Sequence, residues 1–90
     1  MQPNNYKHID SNDANSTVAV TTKHGVLARI TINKTSAHAL TVKNGAGGDT
    51  IAILKASVAE GHYDFEVSTS LGISVEVPAS YVGDATIAYR

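Results

Sequence analysis

A two-residue beat between His62 and Val77 constrains this chain more than any other feature. Tyr63, Phe65 and Val67 alternate with His62, Asp64, Glu66 and Ser68; after a Ser-Thr-Ser-Leu-Gly break the beat resumes as Ile73, Val75 and Val77 against Ser74 and Glu76. Strand side chains point to opposite faces in turn, so each run reads as a strand with one apolar and one wet face. The polar break ending in Gly72 reads as a hairpin-like connection. The single Phe and one of the four Tyr lie here, so this pair is expected to supply much of the core floor, with other strands covering it.

The same beat recurs along the chain. Thr17–Lys23 is rich in β-branched residues, which suit a pleated surface. In the next run Val26, Ala28, Ile30 and Ile32 fall on one side and Leu27, Arg29, Thr31 and Asn33 on the other. Leu40 and Val42 mark a short strand with Thr41 and Lys43 outward, and Ile51 and Ile53 begin another. Between them Asn44–Asp49 holds three Gly in six residues and reads as a hairpin loop. Pro78 stops a strand because it cannot donate to a ladder, and in the last run Ile87 and Tyr89 share a face. Seven strands at spacings of about ten residues, with no convincing helix, predict an all-β chain: an antiparallel β-sandwich or jelly-roll-like barrel.

Residues 1–16 break the pattern. Asn and Asp are frequent there, and Tyr6 and Ile9 are the only sizeable apolar side chains after Met1. Such a segment buries too little to offset its ordering entropy. The expectation is a flexible N-terminal arm over residues 1–16, a sandwich over 17–90, and ordering of the arm on a partner through Tyr6, Lys7, His8 and Ile9. Ninety residues make one domain, and a domain near this size buries only about 60% of the surface its unfolded chain exposes. Cysteine is absent, which excludes disulfides. Oligomerisation is the remaining support to expect.

Charge and spacing narrow the function classes. Seven basic and eight acidic residues, in no block, give a formal net charge of −1. Nucleic-acid binding needs a Lys/Arg patch, and a spanning helix needs roughly 20 apolar residues; neither partner is expected. The N-terminus has no signal-peptide pattern, which fits a protein made and kept in a reducing cytoplasm, at least until assembly. Asp64, Glu66 and Glu76 are the residue types of a glycosidase pair, but on solvated strand faces they read as surface charges. His8, His24, His38 and His62 lack ligand spacing. Asp10-x-Asn12 lacks the Gly and Glu of a calcium loop, and no nucleophile elbow accompanies the serines. No enzyme, no metal and no cofactor are expected.

The order of segments carries a resemblance. His24-Gly-Val-Leu-Ala-Arg-Ile-Thr-Ile-Asn33, Ala39–Asn44 with its Gly-rich loop, Thr50–Leu54, Tyr63–Val67, Leu71–Val75 and the terminal Asp84-Ala-Thr-Ile-Ala-Tyr-Arg90 together resemble small β-sandwich virion proteins of tailed bacteriophages, many from cyanobacterial phages. The resemblance spans residues 18–90 and departs at Lys43-Asn44, where that family more often has an aromatic–acid pair. It implies a virion structural protein, a capsid decoration or cement protein. Such a protein is made in the host bacterial cytoplasm and docks as a dimer or trimer on the major capsid protein at the capsid surface. Tyr6 and Ile9 in the arm are then the expected anchors. A tail, neck or fibre component is the alternative within virions. A carbohydrate- or host-surface-binding module, with Tyr81 and Tyr89 as stacking residues, is the alternative outside them.

Overall fold

The computed structural model describes residues 5–90 and builds them from eight strands. These are β1 (Asn5–Ile9), β2 (Ser16–Thr21), β3 (Gly25–Lys34), β4 (Leu40–Lys43), β5 (Thr50–Leu54), β6 (Gly61–Thr69), β7 (Ile73–Val77) and β8 (Asp84–Tyr89), with a 3-10 turn at Ser11–Asp13. The antiparallel ladders are nested: β4 pairs with β5, β3 with β6, β2 with β7 and β1 with β8. The chain is one long ribbon turned at Asn44–Asp49 and rolled until β3 meets β8 and β4 meets β7. Two four-stranded sheets result: sheet I in the order β1-β8-β3-β6 and sheet II in the order β2-β7-β4-β5. This is a jelly-roll β-sandwich, the class the alternation predicts, with one strand more than the seven expected.

The additional strand is β1, inside the stretch expected to be an arm. Residues 5–16 form β1, the 3-10 turn and the first residue of β2, so the part of the arm that is described belongs to the sandwich; residues 1–4 lie outside the described residues. Tyr6, Lys7 and His8 are exposed and only Ile9 reaches the core. One anchor in five residues makes no alternation, and the strand holds because its backbone runs in register along β8, from Asn5 opposite Tyr89 to Ile9 opposite Ala85. The polar residues that follow are caps. The Asn12 amide donates to Asp10 Oδ1 (2.9 Å) and the Asp10 amide to Asp13 Oδ2 (3.0 Å), the local bonding that fits Asx residues to turns.

The runs centred on Phe65 and Val75 are not a hairpin. β6 is an edge of sheet I and β7 is interior to sheet II, so Ser70–Gly72 crosses from one sheet to the other. Gly72 fits because its φ is +127° and a Cβ would stand 2.5 Å from the Thr21 carbonyl oxygen. Ile73, Val75 and Val77 are buried, whereas Tyr63 and Phe65 at the sheet edge are half-buried. The core is aliphatic. Ile9, Leu27, Ile30, Ile32, Ala85 and Ile87 of sheet I face Val20, Leu40, Val42, Ala52, Leu54, Ile73, Val75 and Val77 of sheet II.

Leu27 departs from its expected side. Between Leu27 and Arg29 the register shifts on both flanks of β3: Ala28 is the extra residue against β8, and β6 carries one extra residue against β3. A bulge turns two consecutive residues against one on the partner. The phase of β3 therefore changes at Ala28, which lets Leu27 join Ile30 and Ile32 in the core although simple alternation sets it with Arg29.

Ile9→Ala is expected to destabilise the fold by about 2–5 kcal/mol, the usual cost of truncating a fully buried aliphatic side chain. Tyr6→Ala, at an exposed position, should stay within about 0.5 kcal/mol. Urea unfolding of the two variants checks this, because a mobile arm would leave both silent.

Candidate functional site

The sandwich presents two outer faces of different chemistry. On sheet I the outward side chains lie in rows set by register. His8 lies opposite Thr86, Thr86 opposite Thr31, and Thr31 opposite His62; Tyr6, Ala88, Arg29 and Asp64 form the neighbouring row. Arg29 Nε donates to Asp64 Oδ1 at 2.6 Å, and Thr31 Oγ1 lies 2.8 Å from His62 Nδ1. Asn33 Nδ2 donates to Asp84 Oδ1 (2.9 Å) and Thr86 Oγ1 (3.3 Å), and His8 Nε2 lies 2.9 Å from the same Asp84 oxygen.

Glu66 owes its place to the bulge. Its φ of 54° is a left-handed conformation that non-glycine residues seldom take. The carboxylate there meets both terminal nitrogens of the Arg90 guanidinium, the Nη1–Oε2 bond measuring 3.2 Å. This contact holds the Glu66 carboxyl below its ordinary range, with burial opposing it. Asp84 is lowered as well, first by the Asn33 amide and then by His8, with burial opposing. The charges of this face are thus closed on one another.

Sheet II differs. From β2 to β5 one outward row runs Thr17, Glu76, Thr41, Ile53. Among the described residues its one ion pair is Lys43 Nζ with Glu76 Oε2 at 3.1 Å, and Ala19 and Ser74 lie beside it as another register pair. Ile53 is 62% exposed. Neither β2 nor β5 contains a charged residue.

At the end of the sandwich where β3 and β5 finish, a cavity of about 10 Å³ is lined by Leu40, Leu54, Ser36, His38 and Tyr81, among others. That is room for one water. Burial raises the Tyr81 hydroxyl pKa, with a further push from Asp84. Among the described residues no three His, Asp or Glu side chains gather as a metal site, and no helix is long and apolar enough to cross a membrane.

The residues expected to act together do not share a surface. Tyr6 and His8 lie on the outer face of sheet I, while Ile9 is sealed in the protein's own core and Lys7 alternates with its neighbours at the sheet edge. Tyr81, only 3% exposed, is packed inside and has no ring face free for stacking; Tyr89 is half-buried against the core. Ile53, the Lys43–Glu76 pair and the Arg90–Glu66 pair were not singled out by sequence. Their partners come from register between distant strands, which no local spacing reports.

No family model matches this chain, and no curated protein matches it. Among solved structures, Drosophila NLP-core, reported for its insight into pentamer formation and histone binding, aligns with a TM-score of 0.64 at 12% identity. It covers 99% of this chain and 97% of that one. At that identity the likeness is one of fold. It overturns the expected bacteriophage lineage, and with it capsid decoration and the major capsid protein as partner: the structure that matches end to end is an insect protein, not a virion component. The tail, neck or fibre alternative and the carbohydrate-binding alternative gain no support from any match either. The segments that carried the phage resemblance are strand and turn patterns, and any sandwich of this topology asks for them.

Because the folded Asp84 pKa lies below the ordinary value of 3.8, its contribution to stability is complete above that value and is lost as pH falls through the folded one. Asp84→Asn is therefore expected to be less stable than the native protein near pH 7. The gap should close as pH drops below 3.8. Urea midpoints of the two proteins across pH 2–7 check it; a gap that widens in acid would contradict the assignment.

Proposed function

We propose that this chain is a non-catalytic β-sandwich module that works as a homo-oligomer. The observation that carries the reading is the segregation of charge between the two outer faces. Sheet I wears Arg29, Asp64, Glu66, Asp84 and Arg90, with His8 and His62, in bonded pairs. Sheet II wears one pair and exposes Ile53 between small or hydroxylated side chains. Native sheets ordinarily guard exposed edges with charge, and edge strands without charge beside an exposed aliphatic side chain suit a self-association surface.

Two further features support it. The domain is small and has no disulfide, so burial between copies adds to a limited core. The matching Drosophila protein is reported in connection with pentamer formation, which makes assembly the property most naturally shared with this fold. That protein is also reported in connection with histone binding. Here the carboxylates of sheet I are spent on Arg29, Arg90, Asn33 and His8 and the net charge is only −1, so the reading rests on self-assembly. Among the described residues no three His, Asp or Glu side chains gather, and the cavity beside Tyr81 has room for only one water.

Sedimentation or light scattering over a wide concentration range tests this. A discrete multiple of the 9.4 kDa chain mass is the expected result, and a monomer at every concentration overturns the reading.

A further inference from the structure

The four sheet edges are not alike. β6, an edge of sheet I, carries His62, Asp64 and Glu66 and the bulge beside Glu66; β1, the other edge, carries Lys7 and His8. Both carry charge within the strand, one of the ways native edges are kept single. The edges of sheet II are β2 (Ser-Thr-Val-Ala-Val-Thr) and β5 (Thr-Ile-Ala-Ile-Leu), with no charge in either; each also has one extra residue in its ladder, Val20 in β2 and Ile51 in β5, so charge and not a bulge separates the two pairs of edges. Within one molecule, the guarded pair serves as the comparison for the open pair.

Direction decides which partner fits. β2 is antiparallel to β7, β7 to β4, and β4 to β5. With four alternating strands, β2 and β5 run in opposite directions on opposite sides of the sheet. A second copy in the same orientation brings its β2 alongside β5 antiparallel, the better-bonded of the two pairings. The residues flanking these strands agree. β2 lies between Asp13 and Lys23, and β5 between Asp49 and Lys55. Antiparallel alignment sets Asp49 beside the next copy's Lys23 and Lys55 beside its Asp13. Lys23, Asp49 and Lys55 are exposed, and none enters an ion pair among the described residues.

The outer face agrees too. Ile53, on the β5 edge, would lie against Thr17 and Ala19 of the neighbouring β2, which leave room for it.

We propose that copies of this chain join head to tail through sheet II, β5 of one pairing antiparallel with β2 of the next, with Asp49 facing Lys23 across the joint. This rests on the self-association reading above and adds its geometry. The contact is heterologous: each copy uses two different edges, so the joint repeats from one copy to the next, and the rotation at each joint decides between a ring and a filament. The main-chain bonds supply affinity, as in other strand additions, and the flanking charges choose the direction.

The test blocks one edge at a time. Ala19→Lys on β2 and Ile53→Lys on β5 each place a charge at an exposed position, so the fold is retained, which circular dichroism verifies. Each variant alone should be monomeric, with association weakened at least tenfold. Mixed, they should form a 1:1 heterodimer through the one intact pair of edges and nothing larger. Lys23→Glu and Asp49→Lys should each weaken assembly, and the double variant should restore it. Oligomers indifferent to both blocks, a dimer that survives in Ala19→Lys alone, or a mixture without heterodimers would overturn the head-to-tail joint while leaving self-association standing. A native monomer at every concentration would overturn both.

Discussion

Nested pairing governs this molecule. Each strand of the first half of the chain finds its ladder in the second half, and the innermost pair is the β4–β5 hairpin. Asn44 begins the turn of that hairpin: its amide donates to the Asp49 carbonyl at 2.8 Å. Its side chain accepts from the Ser70 and Leu71 amides (3.1 and 2.9 Å) and donates to Ser70 Oγ (3.1 Å). One residue thus starts the turn of the ribbon and ties it to the loop that carries the chain from sheet I to sheet II. Outside the β4–β5 hairpin, main-chain pairing waits on closing long loops. Non-local topologies of this kind fold slowly for that reason.

The paired irregularities at Ala28 and Glu66 solve a second problem. β3 is ten residues long and is paired on both sides, so its phase fixes the core face of most of sheet I. Without the bulge, Leu27 would sit outward with Arg29, and a bulky aliphatic group would be lost from the centre. With it, Leu27 is fully buried, while the left-handed Glu66 aims its carboxylate at Arg90. Core packing and surface pairing are settled by the same local fault in the ladder.

These features explain which parts could be read from sequence. The alternation of Ile73, Val75 and Val77, the Gly-rich turn at Asn44–Asp49 and the stop at Pro78 are local, and the strands they imply are present. β1 escaped because its stability lies in backbone bonds to β8 and a single buried side chain, Ile9; neither leaves a periodic trace. Leu27 escaped because a bulge breaks the period on which the reading depends. The Phe65 and Val75 strands were joined into one hairpin because a short polar linker looks the same whether it turns within a sheet or crosses to another. The candidate surface was less legible still. Ile53 is unremarkable beside Ile51, Leu54 or Ile73 until register shows that it alone of the four is aimed at solvent. The phage resemblance failed for a related reason, since strand-and-turn patterns report topology and topology is shared across unrelated roles.

The open edges of sheet II also carry a hazard. Thr-Ile-Ala-Ile-Leu in β5 is short, uncharged and rich in β-branched residues, the composition that invites indiscriminate strand addition. Asp49 and Lys55 bracket it and Lys23 follows β2, the placing of charge that checks aggregation at unavoidable apolar strands. Charges set beside an edge, rather than within it, leave the backbone free to pair while penalising partners in the wrong direction or register. A parallel neighbour would meet Asp with Asp and Lys with Lys; an antiparallel one meets each with its opposite. The same few side chains therefore favour an antiparallel neighbour over a parallel one, and the small side chains of β2 opposite Ile53 favour β2 as that neighbour's edge.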